Sequence, residues 1–411
     1  GGVHVSSLPE EASLYADTIF IGEAEETWPK FIEDYKNNRP KVIYKCERYP
    51  DLQQLSIPRW DLVKSKYPVT YVQTTRGCPH RCEFCLVKSY LGRPRFKPLE
   101  NVLKEIETVI GRTKSNLIDF ADDNIFSNKK YSRALFEALI PLNVNWWGAA
   151  SIDVAKDEEI LTLARKSGCV SLGIGIESIN QKSLDSVNKG RQNKTLKLKE
   201  NIRKIQSHGI SVLGLFMLGF DEDDPTIFQR TRDFIEEANL GICSFSILTP
   251  LPGTSIFDKL RKEGRLIHQN WDLYNYFNVN YEPKLMSREE LREGFNRVVN
   301  SLYSYNHLFA RLDREWQAIK GSYSNHENDR EIAARVHMIK KYYVDMLLDE
   351  YDSLKSEATM RPYLKRVIHE IQNKDVSVIP VLSSGLTQTY QYSQMVEDNG
   401  KGQWQEVYHE N

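Results

Sequence analysis

From about residue 70 onward, short apolar runs bounded by turn residues alternate with helix-length amphipathic stretches. The runs Thr70–Thr75, Asn116–Ala121, Asn143–Ala150, Cys169–Gly175, Ile210–Leu218 and Ile242–Leu248 have the length and composition of buried strands. Between and after them, Leu99–Ile110, Lys129–Ile140, Asp157–Lys166, Lys194–His208, Thr226–Ala238 and Ser255–Glu263 repeat their apolar residues at helical spacing. In Lys194–His208, for example, Leu198, Ile202 and Ile205 share one face, with Lys and Glu between them. Apolar strands alternating with helices predict an α/β fold, a parallel sheet covered by helices. Six such units in succession predict an open or partial (βα)6 barrel over residues 70–285, with reactive loops after the C-terminal ends of the strands.

The flanks follow other patterns. Residues 1–47 run almost at once into a strand-like stretch, read as a strand at Ala16–Ile21, a helix at Glu26–Tyr35 and a strand at Lys41–Tyr44. Residues 48–69 are rich in turn formers and read as a linker. Residues 286–384 read as helical, through Arg288–Tyr305, Asp329–Ser353 and Ala358–Gln372. Residues 385–411 are polar and read as a flexible tail. A start without Met, with no signal-peptide pattern, reads as a piece of a longer protein.

Composition narrows the function classes. A formal net charge of −1 points neither to nucleic acid nor to an anionic membrane surface, and no run of about 18 apolar residues suggests a transmembrane span. Of six cysteines, Cys78, Cys82 and Cys85 crowd together while Cys46, Cys169 and Cys243 stand alone. That distribution suits a metal centre in the cytoplasm better than a disulfide framework. The isolated three read as small buried side chains.

The crowded three lie in Arg76-Gly77-Cys78-Pro79-His80-Arg81-Cys82-Glu83-Phe84-Cys85, directly after the first expected strand. Three thiolates can each take one iron of a cubane [4Fe–4S] cluster, leaving the fourth iron open. Zinc would need a fourth ligand, for which His80 is the nearby candidate. A redox CxxC would leave Cys78 unexplained.

CxxxCxxC with an aromatic residue before the last cysteine, here Phe84, resembles the signature of the radical S-adenosylmethionine (SAM) superfamily. The resemblance implies a TIM-like partial barrel and an enzyme whose cluster, held by Cys78, Cys82 and Cys85, cleaves SAM to a 5′-deoxyadenosyl radical. It further implies SAM contacts at successive strand ends. These are Asp122 or Asp123 for the amino group, Ser151 facing the ribose, Glu177 at the ribose or amino acid end, and Gly219 near the adenine, with Phe84 of the cysteine loop as a further SAM contact. Asp122 and Asp123 could instead cap the following helix, Glu177 could be a surface charge, and Gly173 and Gly175 could serve strand packing alone.

Gly1-Gly2-Val3-His4 and Gly22-Glu23-Ala24-Glu25 resemble the last part of the Rossmann-like, cobalamin-binding domain found in one subgroup of that superfamily. There Gly1 and Gly2 would let the backbone approach the cofactor tail. His4 is not read as a cobalt ligand, and half such a domain is expected not to enclose a corrin. Ser56–Asp61 resembles the linker that leads into the barrel, and Gly264–Leu266 with Asn270–Tyr274 resembles a stretch shared by members with a helical C-terminal extension. The resemblance implies a cobalamin-dependent methyltransferase acting on an unactivated carbon of a small-molecule or lipid substrate, fed by a donor such as flavodoxin or ferredoxin. The alternatives are a radical SAM oxidoreductase, cyclase or rearrangement enzyme without net methylation, or a catalytically degenerate iron–sulfur binding module.

Overall fold

The computed structural model describes residues 1–63, 69–113, 117–303 and 305–319. The expected helices at Asp329–Ser353 and Ala358–Gln372 and the tail lie outside the described residues. The N-terminal segment opens not on a strand but on two short helices, Val3–Ser7 and Pro9–Ala12. Pro9 is preset for a first helical turn, and Glu10 and Glu11 suit the positive end of that turn. Strands β1 (Ile19–Ile21) and β2 (Ile43–Lys45) follow, paired in parallel with the helix Thr27–Lys36 between them. The linker carries two single 3₁₀ turns, Leu52–Gln54 and Trp60–Leu62.

The main sheet begins with β3 (Thr70–Val72). The expected first strand breaks after Val72. Its last residue, Thr75, instead begins β4 (Thr75–Arg76), which pairs antiparallel with β5 (Arg95–Phe96), outside the main sheet. The sheet continues through β6 (Leu117–Phe120), β7 (Asn145–Ala150), β8 (Cys169–Glu177), β9 (Ser211–Leu218) and β10 (Ile242–Ile247). All five pairings are parallel and the order is β10-β9-β8-β7-β6-β3, each strand beside its neighbour in sequence. Strands β3 and β10 stay at opposite edges, as an open (βα)6 barrel requires.

Every long strand alternates. Ile118, Phe120, Trp146, Leu172, Ile174, Val212, Phe216 and Phe245 are buried against helix residues such as Val102, Ile106, Leu135 and Ile202. The other face, with Trp147, Leu213, Leu215, Met217, Ser244 and Ser246, stays half-buried. In a closed barrel such residues fill the interior; here they line a concave wall. The helix Arg288–Tyr303 packs on Thr226–Glu237, and Tyr305–Ile319 reaches the starts of β9 and β10. There Glu315, fully buried, accepts from Ser211 Oγ and Val212 N, both at 3.1 Å. The scattered cysteines sit as expected in two cases, with Cys169 and Cys243 fully buried. Cys46 is only half-buried, its thiol donating to Arg48 O at 2.9 Å.

Candidate functional site

The three cysteines occupy the loop closed off by the β4–β5 pair, directly after the first strand of the sheet. Gly77 turns the chain into this loop at φ +92°, and a Cβ there would lie 2.6 Å from Arg93 O, so the position requires glycine. Cys78 N donates to Gly92 O at 3.3 Å and Cys85 N to Cys82 O at 3.2 Å. The loop is also pinned across the sheet: Glu83 N donates to Val187 O, and Glu83 O accepts from Ile256 N, each at 3.1 Å. Phe84 packs against the core with its ring edge-on to Phe220, centroids 6.2 Å apart.

All three thiols are free, Cys82 buried and its partners half-buried. Burial pushes each thiol up, Cys82 to about 11, while the Lys189 ammonium pulls the other way. Among the described residues, no group of three or more His, Cys, Asp or Glu converges tightly enough to hold one metal ion. His80, the candidate fourth zinc ligand, has both ring nitrogens engaged. Its Nδ1 meets Gln192 Nε2 at 2.8 Å, which as an amide must donate, so Nε2 carries the proton toward Ser151 Oγ at 2.9 Å. Zinc needs four donors on one centre, whereas a cubane has separated corner irons, so its thiolates must flank it rather than meet. Three soft, unpaired donors in one loop fit the cluster.

The acidic pair after β6 caps no helix; Asn128 caps Lys129–Leu139, accepting from Tyr131 N. Asp122, buried, accepts from Thr74 N at 2.7 Å, from Thr75 N at 3.0 Å and from the Thr74 hydroxyl. Burial raises its carboxyl to about 6 against these bonds. Asp123 Oδ2 accepts from Gly77 N at 2.9 Å. Both carboxylates therefore hold the start of the cysteine loop. Ser151, at the end of β7, accepts from His80 and, at 3.1 Å, from Asn124 Nδ2. Ser151, His80, Asn124 and Asp153 line a cavity of about 210 Å³.

Glu177 ends β8 at a register shift, with φ 64°, a backbone shape uncommon for a residue other than glycine. It is no surface charge: its side chain is 13% exposed and lies 3.5 Å from Lys189 Nζ. Burial pushes the Glu177 carboxyl up. Burial also opposes the Lys189 charge, but attraction to Glu177 and Cys82 outweighs it, and the ammonium is held. A side chain at Gly175 would collide with the Glu177 carboxylate, so this glycine makes room for the pair. Gly219, φ +97°, lies under Tyr281, whose hydroxyl donates to Gly219 O, and its N–H donates to Asp223 at 3.2 Å. Gly2 is open, with nothing within 4 Å of where a Cβ would stand, and Gly1 rests on Phe20. A larger cavity of about 710 Å³ lies between the linker and the first strand, lined by Trp60, Tyr71, Gln73, Arg76, Lys97 and Glu105 among others.

Sequence reasoning missed Lys189, Gln192 and the buried carboxylate of Glu23, which reaches the arginines Arg76 and Arg95 on either side of the cysteines. A buried lysine in the loop after β8 has no local signature. The Arg-Gly before Cys78 was visible, but its partner lies 53 residues away.

The Radical SAM superfamily profile matches residues 72–235, and a domain of unknown function, DUF4070, matches residues 254–350. Bacteriochlorophyllide d C-12(1)-methyltransferase of Chlorobaculum tepidum is 32% identical over 322 residues, covering 76% of this chain and 70% of the relative. Hopanoid C-2 methylase of Rhodopseudomonas palustris is 29% identical over 282 residues, covering 66% of this chain and 53% of the relative. Among solved structures, the cobalamin-dependent SAM radical enzyme OxsB, with aqua-cobalamin and SAM bound, aligns at a TM-score of 0.61 and 16% identity, covering 100% of this chain and 68% of that one. TsrM from Kitasatospora setae, with cobalamin and a [4Fe–4S] cluster bound, aligns at 0.56 and 17%, covering 72% and 66%. The cysteine loop, the open six-stranded parallel sheet and these likenesses agree: the chain belongs to the radical SAM superfamily, enzymes whose cofactors are a [4Fe–4S] cluster and S-adenosylmethionine.

Proposed function

We propose that this chain is the radical-generating, substrate-binding part of a methyltransferase that acts on an unactivated carbon with cobalamin as methyl carrier. The observation that carries the reading is a superfamily match that begins at residue 72, contains all three cysteines, and continues into relatives named as methyltransferases. The cluster and SAM supply, when bound, reductive cleavage of the sulfonium carbon–sulfur bond to a 5′-deoxyadenosyl radical.

The chain's own residues do the rest. Cys78, Cys82 and Cys85 would hold three irons and leave one corner for SAM. The Lys189 ammonium offsets thiolate charge, and Glu177 and Ser151 stand at strand ends where SAM's polar groups can be met. Asp122 and Asp123 keep the loop in shape: the Asp122 oxygens are taken by Thr74 and Thr75, whereas Asp123 uses Oδ2 for Gly77 N and keeps Oδ1 for the SAM amino group. Phe84 and Phe220 shield the loop from water. The concave wall, apolar at Trp147, Leu213, Leu215 and Met217 and polar at Ser244 and Ser246, suits a largely apolar, ring-containing small molecule or lipid. Tetrapyrrole and hopanoid relatives are consistent with that class. Electrons would come one at a time from a flavodoxin- or ferredoxin-like donor. Free cysteines and an oxidisable cluster favour a reducing, cytoplasmic setting; no helix among the described residues is long and apolar enough to cross a membrane.

Anaerobic reconstitution tests the reading. Reduced protein with SAM is expected to release 5′-deoxyadenosine, and with methylcobalamin and a tetrapyrrole or triterpenoid acceptor also S-adenosylhomocysteine. Cys82→Ala is expected to lose the brown chromophore and bound iron and sulfide entirely; full retention would contradict the ligand assignment. A second reading draws on the anaerobic magnesium-protoporphyrin IX monomethyl ester cyclase of Cereibacter sphaeroides, 25% identical over 342 residues and matched over 55% of its length. Formation of 5′-deoxyadenosine with no S-adenosylhomocysteine would favour it.

A further inference from the structure

The cysteine loop has a neck, and the neck is built from two like charges. Strands β4 and β5 enclose residues 77–94, and their register places Arg76 directly opposite Arg95. Opposed like charges on paired strands push the strands apart. Two residues beyond Arg76 is Cys78, so anything that opens the neck disturbs the loop.

A carboxylate from outside the barrel occupies the gap. Glu23, its side chain 4% exposed, binds Arg76 through one oxygen and Arg95 through the other, with a further contact from Arg95 Nη1 at 3.3 Å. Glu25 meets Arg76 at 2.6 Å from a more exposed position. The remaining partners are neutral. Gln73 accepts from Arg76 Nε at 2.8 Å, Pro50 O and Leu91 O accept from Arg95 at 3.0 and 3.2 Å, and the Arg95 guanidinium lies 4.6 Å above the Tyr49 ring. The segment that carries Glu23 is held by contacts of its own. Trp271 Nε1 donates to Glu11 at 2.8 Å, Gly22 N to Ser6 Oγ at 2.9 Å, and the Tyr90 hydroxyl to Gly22 O at 3.4 Å. Glu23 thus reaches the neck already oriented.

We infer that Glu23 is a positioning residue: by neutralising two arginines that face each other across the neck, it makes closure of the cysteine loop depend on a docked N-terminal segment. This rests on the reading that the cysteines hold an iron–sulfur cluster. A cluster loop whose neck repels itself stays shut only while the upstream segment is seated, which couples cluster retention to that segment.

The test compares wild type, Glu23→Gln, Arg95→Gln and the double variant, each as the full chain. One arm measures the rate at which a chelator strips iron from anaerobically loaded protein. The other, on iron-free protein, measures trypsin cleavage at Arg81, Lys88 and Arg93, all exposed within the loop. Glu23→Gln is expected to speed both by about tenfold, since two partly screened charges lose their partner. In the Arg95→Gln background the same change is expected to add no more than about twofold, because the opposed charge is already gone. Wild-type rates for Glu23→Gln in the trypsin arm, or an equal effect in both backgrounds, would overturn the inference. Should Glu23→Gln yield no folded protein, the double variant decides: recovery of folded, iron-retaining chain supports the inference, and failure to recover overturns it. If wild type takes up no iron, the cluster reading fails, while the trypsin arm still tests Glu23 alone.

Discussion

The barrel and the N-terminal segment are held together in opposite ways. In the barrel, Phe120, Trp146, Phe136 and Ile118 are at most 1% exposed, and each strand buries one face beneath a helix. In residues 14–49 only Ile19 and Tyr44 among the apolar side chains are buried, while many stay in water: Leu14 is 77% exposed, Tyr15 85%, Tyr35 63% and Trp28 52%. A parallel sheet needs cover on both faces; β1 and β2 are only two strands, backed by one helix and a cluster of Phe20, Trp28, Phe31 and Tyr44. What fixes the segment to the barrel is polar and directional, through Glu11 and Glu23. The barrel thus owes its fold to burial, whereas the segment owes its place to a few polar contacts.

Truncating one aromatic in each region breaks the comparison most sharply. Phe120→Ala is expected to lower unfolding stability by about 4 kcal/mol, as a fully buried ring leaves a cavity, and Phe20→Ala, half-buried, by roughly 1–2 kcal/mol. Chemical denaturation with matched slopes would show this; equal losses would mean that the segment has a core of its own.

The next largest effect is a pH dependence rooted at the barrel floor. Glu315, pushed up by burial from its ordinary 4.5 to about 7, retains one unpaired oxygen despite its three donors. Between pH 4.5 and 7 the folded chain therefore binds more proton than the unfolded chain. Stability contributed by this group is full below pH 4.5 and is lost as pH rises to 7, by about 3 kcal/mol in all. Glu315→Gln is expected to flatten that slope in thermal unfolding scans; an unchanged slope would remove Glu315 as its source.

At the rim, Gly175→Ala forces the Glu177–Lys189 pair aside and is expected to cost about 1–3 kcal/mol, with weaker SAM binding by calorimetry. The smallest effect expected is that of Glu11→Gln, which leaves an acceptor for Trp271 but removes the charge. At this partly exposed site the loss is at most about 1 kcal/mol, read as slightly faster proteolysis of residues 1–25 with the barrel untouched.

Much of the barrel was legible because its information is local. Expected strand ends agree with the structure to within two or three residues, and Asp157 begins its helix by accepting from Ile160 N at 3.1 Å, a bond spanning three residues. The exception is instructive: Thr70–Thr75 carries strand-forming residues throughout, yet Asp122, 48 residues on, takes the backbone N–H groups of Thr74 and Thr75 and bends the chain out of the sheet. The helices Val3–Ser7 and Pro9–Ala12 lay outside the expected elements, and the Trp271 contact that holds Glu11 comes from 260 residues away.

By itself, the sequence determined the period of the fold and the chemistry of its central loop, since apolar spacing and three closely spaced thiols are properties of neighbouring residues. The tertiary structure decided what surrounds those thiols. Asp122 and Asp123 became loop supports, Glu177 acquired Lys189, His80 received a fixed tautomer, and Glu23 came to lie between two opposed arginines. Each depends on pairing residues 12 to 112 positions apart, and charge, burial and distance have no meaning until the chain has closed those gaps.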